Sequence, residues 1–470
     1  MKILLINPPS LKPIESCLPK TIEEGRGFIP PLGLMCIASY LEKYTDHRIE
    51  IIDSPVEKID YPELRKKIEE KKPDMVGITA MTFTLIDVLK TAKMTKEINP
   101  KTITVVGGPH PTIYPKETAK FKEIDFCIIG EGERPIVELI KNIDNLEKLK
   151  QIKGIAFKNK EEIINNGQSE FINNLDELPF PARRLVSYKK YFSSISSNFP
   201  ITNMFTSRGC PYNCLFCDRP QLGKNFRARS AKNVVDEMEE CQKMGIKEIF
   251  IYDDTFGVDR ERVLDICEEI TKRNLRIAWD VRTRVNTVDE EILIKMKKAG
   301  CERIHYGVEA GTQKILDVLR KGITLEMVEK TFKLTQKIGI RAEGYFMIGS
   351  PTETKEDILQ TIQFMKKIKP DYVHITLVTP FPATDLYRLG LKEKVLPYDY
   401  WQKFAENPTA DFKPYFWEKE LSREQLFSLL KKAYRSFYLR PNYIFKKIIQ
   451  LKSGKDLLKK AKAALKLLKI

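Results

Sequence analysis

The sequence is poor in histidine and has no long apolar run. Only four histidines occur in 470 residues, and none lies near the densest group of cysteines, so a zinc site completed by imidazole is not favoured. No apolar stretch approaches the ~20 residues that a membrane span needs, so we expect that the chain is not an integral membrane protein. A Walker phosphate loop, a complete G-x-G-x-x-G and repeats of solenoid length are also absent from the sequence, which disfavours a nucleotide-binding or repeat protein.

Length and composition indicate a globular chain of two or three domains, because 42% of its 470 residues are hydrophobic and can fill cores of that size. Nine cysteines are present, and the first apolar run ends early, at Asn7-Pro8-Pro9. We therefore expect no signal peptide and a reducing cytoplasm. The 80 Lys and Arg against 64 Asp and Glu give a net charge of +16, which favours an anionic surface or nucleic acid as a partner.

Three cysteines on one short loop are the most informative feature of the chain. Cys210, Cys214 and Cys217 have C-x3-C-x2-C spacing, and a glycine and a proline flank the first of them, so the loop does not form a helix and its sulfurs can converge. Three thiolates can hold three irons of a cubane cluster. The next cysteine, Cys241, lies a predicted helix away, so the fourth iron is open to a substrate. The alternatives are a zinc knuckle or three buried structural thiols.

Downstream of this loop, β-rich runs alternate with amphipathic helical stretches six times. Strands are predicted at residues 201–207, 248–252, 277–282, 303–307, 341–348 and 372–378. Helix starts are predicted at Ser230, at the capping box Thr287-x-x-Glu290, at Thr324 and at Thr354. Six βα units predict a parallel sheet curled into a (βα)6 partial TIM barrel, whose chemistry lies at the carboxyl ends of its strands.

The predicted ends of these strands carry residues suited to one shared ligand. Arg284 suits a carboxylate as a bidentate donor, and Glu309 can accept from hydroxyl or amino groups. Asp254 completes a doubled aspartate after the second strand, a pattern that is also typical of a helix cap. Gly349 allows the backbone to approach a ligand, and Thr384 follows the sixth strand. For each residue alone, an ordinary loop role is the alternative.

Residues 1–150 are predicted to form a second alternating α/β unit, with strands at residues 2–6, 48–52, 75–79, 103–106 and 126–129. Five parallel strands predict a doubly wound, Rossmann-like sheet with a ligand crevice at the strand ends. Small and glycine-rich loops there suit a broad, flat ligand. The residues assigned to this crevice are Asn7, Leu32, Gly33, Thr79, Thr82, Gly107, Gly108, His110, Gly130 and Glu131.

The remaining regions carry no chemical motif. Residues 151–195 are interpreted as a linker, with a small hairpin over residues 154–164 that has its turn at Asn165-Asn166-Gly167, followed by a rigid connector at Leu178-Pro179-Phe180-Pro181. The barrel is assigned to residues 196–390 and an aromatic and helical carboxyl-terminal region to residues 391–470. Aromatic residues such as Trp401 and Trp417 either cover the open side of the barrel or pack in a core.

The cysteine loop, with Phe216 before its last cysteine, resembles the signature of the radical S-adenosylmethionine (SAM) enzymes. The runs Gly107-Gly108-Pro109-His110 and Gly130-Glu131-Gly132-Glu133 resemble the cobalamin-binding domain that precedes many of these enzymes. Together the two likenesses cover residues 1–390. They imply a [4Fe-4S] cluster on the three cysteines, cobalamin in the amino-terminal crevice, and SAM held in the barrel. The residues implied for SAM are Phe216, Asp254, Arg284, Glu309, Gly349 and Thr384.

One motif of the wider cobalamin family is missing. Methionine synthase ligates cobalt through Asp-x-His-x-x-Gly, whereas here Asp53 is followed by Ser54-Pro55-Val56. The resemblance therefore implies cobalamin without a histidine lower ligand. His110 is the only nearby imidazole, and we expect it to cap its loop or contact a corrin side chain. A flavodoxin-like domain that has lost its cofactor is the alternative.

The resemblance implies an anaerobic enzyme in which the reduced cluster cleaves SAM to a 5′-deoxyadenosyl radical. That radical removes a hydrogen atom from an unactivated carbon, the carbon collects methyl from methylcobalamin, and a second SAM remethylates the cobalt. An oxidative, ring-forming cyclase of the same architecture is the first alternative. RNA modification would explain the positive charge, but methylthiolating enzymes need a second cysteine cluster, and Cys17, Cys36 and Cys127 are scattered. A cofactor carrier without SAM cleavage is the last alternative.

Half of the excess positive charge lies at the end of the chain, since residues 446–470 hold nine Lys and one Asp. Projected as a helix, this tail separates leucines and alanines from lysines, which suits an anionic bilayer. Residues 434–441 also resemble the tails of relatives that act on porphyrin-type pigments and polycyclic isoprenoid lipids. We therefore expect a small-molecule, lipid or pigment substrate, peripheral contact with the inner membrane face, and flavodoxin or ferredoxin as electron donor. A solvated helix that packs on the barrel or binds nucleic acid non-specifically is the alternative, although nucleic acid is not the favoured partner.

Overall fold

A computed structural model of the chain describes residues 1–11, 13–14, 27–196, 198–218 and 223–449. Its amino-terminal sheet has seven strands, which we name β1 (Lys2–Asn7), β2 (Arg48–Asp53), β3 (Met75–Thr79), β4 (Ile103–Gly107), β5 (Phe126–Ile128), β6 (Ile155–Asn159) and β7 (Glu162–Asn165). Their order is β2-β1-β3-β4-β5-β6-β7. The first five are parallel, as the sequence predicts, and β6 and β7 are antiparallel additions at one edge.

The hairpin that the sequence analysis placed in the linker therefore belongs to this sheet. Its turn lies at Lys160, which has a positive φ of 54°, and not at residues 165–167. The predicted turn is wrong because Asn166 continues the ladder, its N–H donating to the carbonyl of Ile155 at 3.1 Å.

Helices cover both faces of the sheet, so a central strand such as β1 is apolar from Ile3 to Ile6. Leu4 and Ile6 belong to the core on one face, and Ile3 and Leu5 to the core on the other. The helices of this half are Leu32–Tyr44, Ser54–Glu57, Tyr61–Lys71, Leu85–Ile98, Pro109–Ile113, Pro115–Ala119, Glu133–Lys141 and Leu146–Leu149.

The second sheet is the predicted partial barrel. Its strands, all parallel and paired in chain order, are β8 (Ile201–Met204), β9 (Glu248–Ile251), β10 (Ala278–Thr283), β11 (Cys301–Glu309), β12 (Arg341–Ile348) and β13 (Tyr372–Leu377). Within the described residues β8 and β13 do not pair with each other, so the sheet stays open on one side. The helices around it are Ala231–Lys243, Arg260–Lys272, Glu290–Lys298, Gln313–Val318, Leu325–Ile338 and Lys355–Ile368.

Three of the four predicted helix starts are confirmed. The side chains of Ser230, Thr324 and Thr354 each accept a hydrogen bond from the third backbone N–H of the helix that follows. The prediction at Thr287 is wrong, because Asp289 caps that helix by accepting from the N–H of Ile292. The hydroxyl of Thr287 instead donates to the carbonyl of Arg284 at 2.9 Å.

The carboxyl-terminal region packs on both halves of the chain. Its helices are Asp385–Lys392, Tyr400–Glu406, Arg423–Tyr438 and Pro441–Ile449. Trp401 and Phe404 share a core with Leu85 and Tyr114 of the amino-terminal half, and Trp417 packs on Leu215 of the cysteine loop. Core packing, the second of the two predicted fates for these aromatic residues, is therefore confirmed.

The helix Arg423–Tyr438 also covers the open edge of the barrel. The hydroxyl of Tyr434 accepts from the N–H of Ile375 at 3.0 Å and donates to the carbonyl of the same residue at 2.8 Å. Tyr438 does the same with Val373, at 3.1 and 2.9 Å. Two tyrosines one helical turn apart thus satisfy the backbone groups of β13 that a neighbouring strand would otherwise take.

In the part of the chain that the structure describes, no helix combines the length and apolar character needed to cross a membrane. Residues 450–470, which hold most of the basic tail discussed above, lie outside the described residues, as do the side chains of residues 446–449.

Candidate functional site

The cysteine loop begins and ends on a two-stranded ribbon in which Ser207–Arg208 pairs with Arg227–Ala228. Gly209 leaves the ribbon with a positive φ of 87°, and a Cβ there would lie 2.2 Å from the carbonyl oxygen of Asn225. Only glycine fits that position without displacing backbone. The N–H of Cys210 then donates to the carbonyl of Gly223 at 3.2 Å, which closes the base of the loop.

Leu215 attaches the middle of the loop to the helices that follow β11 and β13. Its N–H donates to the carbonyl of Leu319 at 3.0 Å, and its carbonyl accepts from the N–H of Leu386 at 2.9 Å. Phe216 and Met347 of β12 are partly buried against the same apolar cluster as Leu215. The loop therefore sits at the end of the barrel where the sequence predicts the chemistry.

The three thiols lie near one another and near polar groups of the barrel. Cys210 Sγ is 3.6 Å from Thr255 Oγ1, and Cys214 Sγ is 3.4 Å from Arg284 Nη1. Burial raises the pKa of Cys217 to about 12, and the neighbouring Cys214 and Asp254 add to that effect. Among the described residues, no three His, Cys, Asp or Glu side chains are placed to hold a single metal ion, which is compatible with cysteines that each ligate a different iron of a cluster.

Arg284, at the end of β10, lies against this loop. Its guanidinium carbon is 3.9 Å from the ring centroid of Tyr212, and its Nη2 donates to the carbonyl of Lys321. These contacts hold the planar group in one orientation beside Cys214. A fixed guanidinium is suited to bidentate recognition of a carboxylate.

The two aspartates after β9 have different environments. Asp253 is buried, and its Oδ1 accepts from the N–H groups of Thr206 and Ser207 at 2.6 and 3.0 Å, so it holds the strand that enters the cysteine loop. Asp254 keeps an exposed surface, and its carboxylate accepts from the N–H of Gly209. Partial desolvation of that carboxylate and the charge of Asp253 raise its pKa. Of the doubled aspartate, only Asp254 is open to a ligand beside the cysteines.

Glu309, at the end of β11, forms an ion pair with Lys321 Nζ at 2.7 Å. Its φ of 73° is unusual for a residue with a long side chain. Lys321 Nζ also lies 5.8 Å from the ring centroid of Phe216. Phe216, Asp254, Arg284 and Glu309 are thus all brought to the cysteine loop, as the sequence analysis expects.

Gly349 and Thr384 make their hydrogen bonds within their own loops. The N–H of Gly349 donates to Glu353 Oε2 at 2.7 Å. The hydroxyl of Thr384 accepts from the N–H of Tyr387 at 3.0 Å and donates to the carbonyl of Phe381 at 2.7 Å. The Thr384 side chain is therefore a helix cap, and only the backbone of its loop is free to face a ligand.

The glycine-rich loops of the amino-terminal sheet contain a tight turn around His110. Gly108 has a φ of 110°, and a Cβ there would lie 2.9 Å from the carbonyl oxygen of Ala80. His110 Nδ1 is 3.1 Å from Thr82 Oγ1, and burial lowers the pKa of the imidazole to about 3, so it is neutral. Nε2 of His110 has no hydrogen-bond partner among the residues that the structure describes.

Some of the other residues assigned to this crevice are open to solvent, and the rest contact other protein groups. Thr79 and Gly107 are half-exposed where β3 and β4 end, and Gly33 is exposed, with no atom within 4 Å of a Cβ placed there. Asn7 instead donates to Asp53 Oδ1 at 2.7 Å. Leu32 is buried in an apolar cluster that includes residues of both sheets.

Gly130 and Glu131 face the linker and the barrel. The N–H of Gly130 donates to Thr112 Oγ1 at 3.0 Å. Glu131 lies 3.2 Å from Arg208 Nη1 and 2.9 Å from Arg227 Nη2, and it accepts from the N–H of Ile172 at 2.8 Å. The structure thus places Glu131 at the base of the cysteine loop.

Glu133 completes this buried network through Arg208 Nη2, at 2.5 Å. No sequence motif indicates this network, although Arg208 stands two residues before the first cysteine. Because Arg208 and Arg227 flank the cysteine loop, the glycine-rich loop of one domain is held directly to the cluster loop of the other.

Comparison with known proteins agrees with this geometry. Residues 204–365 match the family described as the Radical SAM superfamily, and residues 21–140 match the B12 binding domain. The chain is 37% identical to the uncharacterized methyltransferase PH0819 of Pyrococcus horikoshii, over 96% of this chain and 95% of that protein. It is 31% identical to the anaerobic magnesium-protoporphyrin IX monomethyl ester cyclase of Cereibacter sphaeroides, over 89% of this chain and 68% of the relative.

A solved structure shares the fold across nearly the whole chain. The cobalamin-dependent S-adenosylmethionine radical enzyme OxsB, with aqua-cobalamin and S-adenosylmethionine bound, matches with a TM-score of 0.75 at 18% identity, over 99% of this chain and 72% of that one. The chain belongs to the radical SAM superfamily, in the group whose barrel follows a B12-binding domain. The predicted fold class and family are confirmed.

Membership in this group makes the chain an enzyme with three cofactors, a [4Fe-4S] cluster, SAM and cobalamin. The residues present fit them. Three thiols share one loop beside a fixed guanidinium. In the amino-terminal half, Gly33 is exposed at the start of the helix Leu32–Tyr44, and Thr79 and Gly107 are half-exposed where β3 and β4 end. His110 is buried within its own loop, where Nδ1 lies against the hydroxyl of Thr82.

Proposed function

We propose that this enzyme transfers a methyl group to an unactivated carbon of a small organic molecule. The observation that carries this proposal is the direct attachment of the cysteine loop to the B12-binding domain through Arg208, Glu131 and Glu133. A reaction that uses both cofactors requires their sites to lie close together, and this attachment supports such an arrangement. The relative that is similar over almost the whole chain is named a methyltransferase.

Each residue at the barrel end has a role in this proposal. Cys210, Cys214 and Cys217 ligate three irons, and Arg284 pairs with the carboxylate of SAM. When bound, the cofactors supply a carbon-centred radical and a methyl group. Asp254 accepts a hydrogen bond from the amino group of SAM, which its open position beside the loop allows.

The neighbouring side chains orient the ligand and shield it. Glu309, held by Lys321 at 2.7 Å, accepts from the ribose hydroxyls. Phe216 and its apolar cluster exclude water from the reacting carbon. Gly349 and the loop of Thr384 contribute backbone only. In the amino-terminal half, the helix start at Gly33 and the strand ends at Thr79 and Gly107 contact the corrin.

An oxidative cyclase is the second candidate function, because the relative in Cereibacter sphaeroides is a cyclase at 31% identity. Both reactions begin with removal of a hydrogen atom, so the cysteine loop does not distinguish them. The mass of the product does, since only methyl transfer adds a carbon. We also propose that the basic tail contacts an anionic membrane. The substrate is then a lipid or a pigment, and flavodoxin or ferredoxin donates the electron.

The test is anaerobic incubation of the reconstituted enzyme with a reductant, SAM that carries a deuterated methyl group, and cell extract. We expect 5′-deoxyadenosine together with an extract component that gains the labelled methyl. A product that lacks the label and has lost hydrogen would favour the cyclase. Wild-type enzyme with a full cluster that forms no 5′-deoxyadenosine would rule out both candidates.

A further inference from the structure

The interior of the barrel contains charged side chains that the cysteine loop does not use. In β10 and β11, apolar residues such as Val281 and Ile304 belong to the core under the helices, so their alternate neighbours point inward. Inward positions of four adjacent strands carry Glu248, Asp280, Arg282, Arg303, His305 and Glu343.

The lower part of this interior is a closed set of ion pairs. Arg303 Nη2 lies 2.7 Å from Glu248 and 2.5 Å from Asp280. His305 lies 3.2 Å from Asp280 and 3.0 Å from Glu343. Burial alone would lower the pKa of His305, but these two carboxylates outweigh it and raise the pKa. All three carboxylates are therefore engaged by Arg303 and His305.

Arg282 lies one layer above this set and two residues before Arg284. Its guanidinium stacks on the ring of Tyr252 at 4.2 Å and hydrogen-bonds to the hydroxyl of Tyr345. Within the described ranges it forms no ion pair with any carboxylate. It is also exposed to solvent, although it lies on the inner face of a central strand.

That exposure shows that the barrel contains an open space at this level. Tyr345 of β12 and His374 of β13 are also half-exposed, with their rings 5.4 Å apart. Gly307, at the next inward position of β11, carries no side chain, and the ion pair of Glu309 with Lys321 lies against it, 2.5 and 2.8 Å from a Cβ placed there. An aromatic and polar cavity therefore extends inward from the strand ends, with Arg282 on its wall.

We propose that Arg282 binds an acidic group of the substrate, a carboxylate or a phosphate-type oxyanion, and that Tyr345 and His374 line the same subsite. The inference rests on the proposed function and narrows its substrate to acidic molecules. A guanidinium among aromatic rings without a counter-charge is costly, and its planar donors match an oxyanion. The carboxylate of SAM has its own partner at the strand end, Arg284, so the anion for Arg282 belongs to the second reactant.

Saturation-transfer NMR on the anaerobic holoenzyme, with its cluster oxidised and SAM present, tests this proposal. The probes are propionate, ethylphosphonate and the uncharged propionamide. We expect both acids to bind more tightly than the amide, and the tighter of the two identifies the type of oxyanion. Arg282→Gln should weaken acid binding by at least about tenfold. Arg276→Gln, at an exposed arginine just before the same strand, should leave it unchanged.

Equal binding of propionate and propionamide by the wild-type enzyme would overturn the proposal, as would unchanged acid binding in Arg282→Gln. A variant that loses affinity for SAM instead would assign Arg282 to the SAM carboxylate and overturn it as well. If Arg282→Gln has a reduced cluster content, Arg282→Met, which keeps an apolar stem, replaces it in the same comparison. Formation of 5′-deoxyadenosine by the wild-type enzyme tests the proposed function separately.

Discussion

The side chains of Arg284 and Glu309 are held in place by neighbouring groups of the protein. Arg284 is stacked on Tyr212 and bonded to the carbonyl of Lys321, so its orientation is set before any ligand arrives. Glu309 is fixed in the same way by Lys321. Such preorganisation reduces the entropy that ligand binding would otherwise lose.

The three cysteines of the loop should be required for the iron–sulfur cluster. Replacing Cys210, Cys214 and Cys217 by Ala should abolish the cluster, because these are the thiols that share the loop. Iron and sulfide analysis of anaerobically reconstituted protein measures the outcome, with about one four-iron cluster per chain expected in the wild type.

The matched control replaces the buried Cys241, Cys267 and Cys301 by Ala. That variant should keep its iron, although it will lose stability through the small cavities it creates. Full iron and sulfide in the loop variant would refute the assignment of the ligands.

A buried carboxyl gives the second prediction. Burial raises the pKa of Glu353 from 4.5 to about 7, with a smaller contribution from Asp357. Between those values the folded chain holds a proton that the unfolded chain has released, so the free energy of unfolding falls as pH rises through this window and then levels off. A shift of this size corresponds to a loss of unfolding free energy on the order of 3 kcal/mol. Glu353→Gln should remove that part of the pH dependence.

Urea unfolding of the wild type and Glu353→Gln at about pH 5 and about pH 8 measures the difference. Gln can still accept from the N–H groups of Gly349 and Ser350, which lie 2.7 and 2.8 Å from the Glu353 carboxylate. Glu356→Gln, an exposed change in the helix that follows, is the control and should behave as the wild type. Parallel pH dependence in all three proteins would contradict the prediction.

At the scale of elements, the edge of the barrel is stabilised by one helix. Tyr434→Phe should reduce the free energy of unfolding by about 1–3 kcal/mol, because it leaves the N–H and carbonyl of Ile375 buried without a partner. Tyr438→Phe should act similarly at Val373. Tyr44→Phe, at a ring that is 42% exposed, is the control. Denaturant unfolding of the three variants measures these changes. If Tyr434→Phe and Tyr438→Phe lose no more unfolding free energy than the control, water replaces the missing hydroxyls.

Helix starts and strands could be predicted from the sequence, because their signals lie within a few residues. The helix caps at Ser230, Thr324 and Thr354 follow from local sequence, because a cap involves a side chain and the next few backbone groups. The error at Thr287 arose where Asp289, two residues later, competes for the same role. Alternating apolar runs and turn residues likewise predict the strands, since both signals are local.

Contacts between distant segments could not be predicted in the same way. The Gly-Glu-Gly-Glu run indicated a ligand loop, but nothing local shows that Glu131 meets Arg208 and Arg227. The sequence likewise does not show that the Thr384 hydroxyl caps the helix that begins after it. The inward charges of the barrel do follow the strand period, with two of the four histidines, His305 and His374, at inward positions, and the sequence analysis overlooked them.

At the scale of the whole molecule, the two cofactor domains are joined by buried charge. Glu131 and Glu133 lie against Arg208 and Arg227, and all four side chains are at most 9% exposed. A buried ion pair contributes little net stability when intact, but removing one partner leaves an uncompensated charge that costs about 3–5 kcal/mol. The network therefore favours one relative placement of the domains over all others.

The double change Glu131→Gln and Glu133→Gln tests this role. It should lower the free energy of unfolding by about 3 kcal/mol or more and should reduce the iron content, since both strands at the base of the cysteine loop lose their counter-charges. Glu42→Gln is the matched control, because its pair with Arg184 also connects the amino-terminal half to the linker but leaves the arginine 64% exposed. An exposed pair of this kind is worth about 0–1 kcal/mol. If the double variant is as stable and as rich in iron as the control, the domains are held by the apolar interface around Leu32 and Ile201 and not by the charges.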